Sequence, residues 1–122
     1  MLKPLQVLMT TLMLAGLALA NPLLEEEFWK TATPADVEQA IQQGGEVDAR
    51  DKDGWNPLHY AAAFNPNPEV AVALVKKGLA VDIRDYKGGT PLHRAAANNP
   101  KPEVITALVK LGAKLDARDE DG

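Results

Sequence analysis

An all-α repeat solenoid is the fold class predicted for this 122-residue chain, and three observations predict it. A four-residue segment recurs at a constant 34-residue interval, as Asp48-Ala49-Arg50-Asp51, Asp82-Ile83-Arg84-Asp85 and Asp116-Ala117-Arg118-Asp119. Residues 48–81, laid on 82–115 without a gap, agree at 20 of 34 positions. Such units bury their apolar faces only against their neighbours, so a stacked array follows. Finally, proline and glycine recur at fixed places and cut each unit into one turn and two short antiparallel helices.

The chain opens with a segment that reads as an address. Lys3 supplies a positive charge, Leu5–Ala20 is largely apolar, and Ala18-Leu19-Ala20 is a small-x-small site. Gln6, Thr10 and Thr11 interrupt the apolar run, which falls short of the roughly 20 residues a spanning helix needs. Residues 1–20 are therefore expected to be a signal peptide cleaved after Ala20, with a periplasmic or secreted product. Contact with a membrane is expected only if that segment stays uncleaved.

Residues 21–47 are expected to form a divergent N-terminal capping unit. Asn21-Pro22 starts its first helix, and Thr33-Pro34 starts a second that runs to about Gln43. Matching by the 34-residue interval sets Phe28 and Trp29 against Ala62 and Ala63, where bulky rings can cover an edge with no preceding layer. Glu25-Glu26-Glu27 reads as a solvated acidic face. Residues 48–81 and 82–115 are the two full units. In each, a turn (Asp51-Lys52-Asp53-Gly54, Asp85-Tyr86-Lys87-Gly88) precedes an N-cap and a proline, Asn56-Pro57 or Thr90-Pro91. The first helices are expected over 57–64 and 91–98, because Pro66 and Pro100 hold Asn65 and Asn99 out of the α region. The second run over 68–77 and 102–111, bury Val70, Ala73, Leu74 and Val104, Ala107, Leu108, and close on Gly78 and Gly112 as left-handed caps. Residues 116–122 read as the start of an incomplete further unit. A truncated array is expected, with the faces bearing Leu92, Leu108 and Val109 partly open.

Composition narrows the function classes. The formal charge is −4 and becomes −5 without Lys3, so there is no basic surplus for nucleic acid. The absence of cysteine excludes disulfide scaffolds, thiolate metal sites and thiol nucleophiles. The turn at Asp51-Lys52-Asp53-Gly54 has too few acids at the right places for a calcium loop, since Ala49 and Tyr60 fall at the first and last ligand positions. His59 and His93 repeat with the period, unlike a catalytic or metal-binding histidine, which is unique and has converging partners. No catalytic residue, metal site or small-molecule cofactor is expected.

Asn56-Pro57-Leu58-His59-Tyr60-Ala61-Ala62 and Thr90-Pro91-Leu92-His93-Arg94-Ala95-Ala96 resemble the Thr-Pro-Leu-His-x-Ala-Ala signature of ankyrin repeats. The rival 34-residue tetratricopeptide class needs longer helices and a different aromatic pattern. The ankyrin period is usually 33, and the extra residue is assigned here to the Asn-Pro-x-Pro loop between helices. The resemblance implies units made of a β-turn or hairpin plus two short antiparallel helices. It also implies structural roles for His59 and His93, which tie a turn to the next unit, and for Gly54, Gly88, Gly78 and Gly112.

Binding in this family runs through the turn tips and the concave face of the first helix. Carried onto matching positions, that gives Lys52, Asp53, Trp55, Phe64, Tyr86, Lys87, Gly89 and Asn98, with the aromatics as anchors. The implied function is protein–protein interaction without catalysis. Exported bacterial members of the family imply regulation or protection of a periplasmic partner enzyme. The alternative expectation is a fragment of a longer array with a structural or self-associating role.

Overall fold

The computed structural model of the protein describes residues 21–115, 117 and 118. The expected signal peptide lies outside these residues, as do Asp116 and the turn sequence at 119–122. A short 3-10 turn at Pro22–Leu24 leads into α1 (Glu26–Thr31) and α2 (Pro34–Gln42). Two helix pairs follow, α3 (Pro57–Phe64) with α4 (Pro68–Lys76) and α5 (Pro91–Asn98) with α6 (Pro102–Lys110). There is no strand among the described residues.

Local chemistry explains where each helix starts and stops. Thr33, Asn56 and Thr90 cap α2, α3 and α5, and each is followed by a proline at the first helical position, where a missing N–H costs nothing. The capping is reciprocal: Asp36 returns a side chain to Thr33, His59 to Asn56 and His93 to Thr90. Asn67 caps α4, whereas Lys101 at the same place before α6 makes no side-chain capping bond. Gly78 and Gly112 end α4 and α6 at φ of 106° and 104°, a region in which a Cβ is strained.

First helices stack on first helices and second on second. The most extensive contact joins α3 to α5, followed by α4 to α6. Leu58, Ala62, Val70, Leu74, Val104 and Leu108 fill the space between layers. Three details differ from the sequence reading. Ala71, rather than Ala73, completes the buried stripe of α4, and Leu108 is fully buried instead of facing an open edge. Ala107 is likewise only partly buried.

An asparagine ladder sets the register of the layers. The Asn65 side-chain amide donates to the carbonyls of Trp29 and Ala32 at 2.7 and 2.8 Å. The Asn99 amide repeats this on Ala62 and Asn65, at 2.8 Å each. Trp29 therefore occupies the place of Ala62, and the expected pairing of Phe28 and Trp29 with Ala62 and Ala63 is off by one. The cause is covalent: Ala32-Thr33-Pro34 is one residue shorter than Asn65-Pro66-Asn67-Pro68. The first unit lacks the additional loop residue and keeps a 33-residue offset in its first helix. Trp29 is fully buried there, donates its indole N–H to the Leu23 carbonyl at 2.9 Å, and meets Phe28 edge-on at 5.0 Å. A single large ring thus occupies the edge layer where the later units use alanine.

Candidate protein-interaction surface

The turn tips are built by their own aspartates. Asp51 Oδ1 accepts from the backbone N–H groups of Asp53 and Trp55, and Asp85 Oδ1 does the same for Lys87 and Gly89. Each turn is closed by a backbone bond, Asp51 N–H to Trp55 O at 2.9 Å and Asp85 N–H to Gly89 O at 2.8 Å. Arginines splice successive tips: Arg50 donates to the Arg84 carbonyl and Arg84 to the Arg118 carbonyl, both at 2.7 Å. At Gly54 (φ 81°) the space a Cβ would need is filled by the Tyr86 ring, whose Cδ1 would lie 2.6 Å away. Glycine is therefore required there on both conformational and steric grounds.

The remaining aspartate oxygens reach the helix that follows, nine residues on. The Tyr60 hydroxyl donates to Asp51 Oδ2. In the next unit Arg94 takes that role, with Nε 2.8 Å and Nη2 2.6 Å from Asp85 Oδ2. Burial alone would raise the Asp85 pKa. It is outweighed by the amide bonds from Gly89 and Lys87 and by the guanidinium, which hold the carboxyl below its ordinary value. Burial, then the bond to Asp51 and its negative charge, push the Tyr60 phenol well above its ordinary value. Both pairs pin a helix to its own tip.

Over these pairs lies an aromatic patch. Trp55 stacks with Phe64 at 6.1 Å, meets Tyr60 edge-on at 5.1 Å and lies 6.0 Å from the His59 ring. The Arg94 guanidinium covers the indole at 5.4 Å, a favourable cation–π distance. Gly89 leaves room for that arginine, because a Cβ there would come within 2.3 Å of Nη2. Trp55 and Phe64 are consequently part-buried, packed on their own chain while still presenting one side to solvent. Tyr86 is different, being 66% exposed with Arg50 6.0 Å from its ring centre. Lys52, Asp53, Lys87 and Asn98 are exposed around the patch. Asn98 turns its amide back to the Arg94 carbonyl at 3.2 Å.

The two signature histidines do not share one environment. His59 is fully buried: Nδ1 accepts from the Asn56 N–H at 3.1 Å, which leaves the proton on Nε2 for the Gly89 carbonyl at 2.9 Å. Desolvation lowers its pKa below the ordinary histidine value, against a smaller opposing effect of the Gly89 bond. His93 repeats the inner bond, with Nδ1 3.0 Å from the Thr90 N–H, but is part-exposed, and its Nε2 has no acceptor among the described residues. The caps differ as well. The Thr90 hydroxyl lies 2.9 Å from His93 Nδ1 and can donate to it. Asn56 turns its carbonyl oxygen to accept from the His59 backbone N–H, which leaves that oxygen 3.0 Å from an Nδ1 that has no proton to give, and its Nδ2 is buried without a partner among the described residues.

Sequence reasoning does not single out the Asp51–Tyr60 and Asp85–Arg94 pairs. The signal was present, since the turn aspartate and the variable residue after each histidine keep a spacing of nine in both units. Among the described residues no three histidine, aspartate or glutamate side chains converge as a metal site would require, and no helix is long and apolar enough to cross a membrane.

The family model described as ankyrin repeats (3 copies) matches residues 30–119. No curated protein matches the chain.

Proposed function

Because the chain belongs to the ankyrin-repeat family, whose units generally mediate protein–protein interaction and are generally non-catalytic, we propose that it binds another protein through its tip-side aromatic patch. Trp55 is the anchor of this reading, flanked by Phe64, Tyr86, Lys52, Asp53, Lys87 and Asn98. The observation that carries it is the state of the indole: held by Tyr60, Phe64 and Arg94, yet still partly open. A pre-ordered aromatic loses little conformational entropy on binding, which is what makes such residues interface hot spots.

We also propose that the protein acts outside the cytoplasm. The charged start, apolar run and Ala18-Leu19-Ala20 site of the first twenty residues support export with cleavage near Ala20. The partner is then a periplasmic or secreted protein, and regulation or protection of an enzyme there is the role proposed. The test is affinity capture from a periplasmic extract, comparing the full chain with its Trp55→Ala variant. Retention of a defined partner is expected to fall about tenfold or more, as for a hot-spot anchor, with helical content unchanged. Equal retention by both proteins, or a parallel loss of helix and binding, would overturn the assignment.

A further inference from the structure

Charge is graded along the stack. Residues 21–47 carry six acidic side chains and one basic, residues 48–81 four of each, and residues 82–115 three acidic and six basic. The layers stack in chain order, α1 on α3 and α3 on α5, so net charge runs along the axis from −5 through 0 to +3. The neutral middle layer is the one that carries Trp55, Tyr60 and Phe64.

The gradient reaches the aromatic patch itself. With Trp29 in the place of Ala62, Glu27, Tyr60 and Arg94 form one column across the three layers: an acid, a phenol and a guanidinium. At the acidic end Lys30 bridges Glu26 and Glu27, at 3.2 and 2.9 Å, which leaves two acids to one base. Glu25 beside them is exposed, has no ion pair among the described residues, and is near enough to the Tyr60 phenol for its charge to raise the pKa. At the basic end Arg94 covers the indole at 5.4 Å and is bound to Asp85. Lys87, on the same tip as Asp85, is exposed and without an ion pair among the described residues.

We propose that the tip-side surface takes an extended protein segment in one direction: an apolar side chain on Trp55, basic residues toward α1, and acidic residues toward α5 and the 84–89 tip. This partner chemistry rests on the Trp55 reading above and adds a direction to it. Crossing three layers of packed helices covers about 20 Å, or about six residues of extended chain. Screening confines each charge to about 8 Å at physiological salt, so each layer is read by the partner residues that touch it. A polyanion such as nucleic acid, or a uniformly basic segment, gains at one flank and loses at the other.

The probe is a synthetic peptide with a lysine block, a central leucine and a glutamate block, carrying a nitroxide at one end or the other. Its control has the same composition with lysine and glutamate alternating. On the full chain the block peptide is expected to bind about fivefold more tightly than the control at low salt, and to lose that advantage at high salt. A nitroxide at the lysine end is expected to broaden amide resonances of α1, and one at the glutamate end those of residues 84–89. Combining Glu25→Lys, Glu27→Lys and Lys87→Glu is expected to abolish the preference, whereas Trp55→Ala weakens both peptides alike. Equal affinities for the two peptides, no binding of either, a preference unchanged in the charge variant, or broadening that ignores the label's position would overturn the proposed direction. Equal binding that Trp55→Ala still weakens would leave the anchor reading standing; binding that Trp55→Ala does not change would overturn both.

Discussion

The unit at 48–81 and the unit at 82–115 agree at 20 of 34 positions, yet equivalent residues live in different surroundings. In the first, the histidine is sealed between layers and bonds across to the Gly89 carbonyl; in the second, the same ring is part-exposed. The turn aspartate of the first takes a phenol, that of the second a guanidinium. A shared motif thus sets the local turn and cap, while the neighbouring layer decides how much each residue contributes.

The largest expected contrast is at the histidines. His59→Ala removes a buried ring with bonds at both nitrogens and is expected to cost about 3 kcal/mol. His93→Ala is expected to cost about 1 kcal/mol, because only its inner bonds are lost. Urea unfolding of the two variants measures the difference, and equal losses would break the comparison.

The aspartate pairs sharpen it further. Arg94→Ala leaves the buried Asp85 carboxylate with amide donors alone and is expected to destabilise by about 2 kcal/mol. Tyr60→Phe takes one hydrogen bond from a carboxylate that retains its amide bonds, and about 1 kcal/mol is expected. The change at Arg94 is also expected to loosen Trp55, seen as a red shift of its emission.

A gain is expected at Asn56→Thr. The hydroxyl repeats the Thr90 geometry, capping the helix and donating to the imidazole, and it removes the unpartnered amide. Stability is expected to rise by about 1 kcal/mol, measured as a higher denaturation midpoint.

The smallest effect is a pH slope. His59 has a lowered pKa when folded, so between that value and its unfolded value of about 6.5 the unfolded chain binds the extra proton. Its contribution is intact above pH 6.5 and is lost as pH falls through that window. Unfolding measured from pH 7.5 to 5.5 is expected to show this decline, and His59→Gln to flatten it.

Much of the architecture was legible because proline and glycine act locally. Pro57, Pro68, Pro91 and Pro102 start helices, and Pro66 and Pro100 forbid their neighbours the α region, so the spans follow from covalent constraint. The one-residue shift at Trp29 was hidden in the length of the Ala32-Thr33-Pro34 loop, which matters only once Asn65 reaches back across it. The candidate surface was legible as positions but not as geometry. Trp55 reads in sequence as an interface anchor at a turn tip, whereas its setting depends on Arg94, 39 positions along and in another layer. Likewise Asn56 reads in sequence as a cap that lacks the hydroxyl of Thr90, but its leftover amide donor shows only once donors are counted inside a buried site.

Hydrogen exchange on the full chain, alone and bound to the partner recovered by capture, tests the central claim most directly. New protection is expected at the tips 50–55 and 84–89 and along α3 at Tyr60–Phe64. Protection confined to the outer helices α4 and α6, with the tips unchanged, would contradict a protein bound through its aromatic tip face.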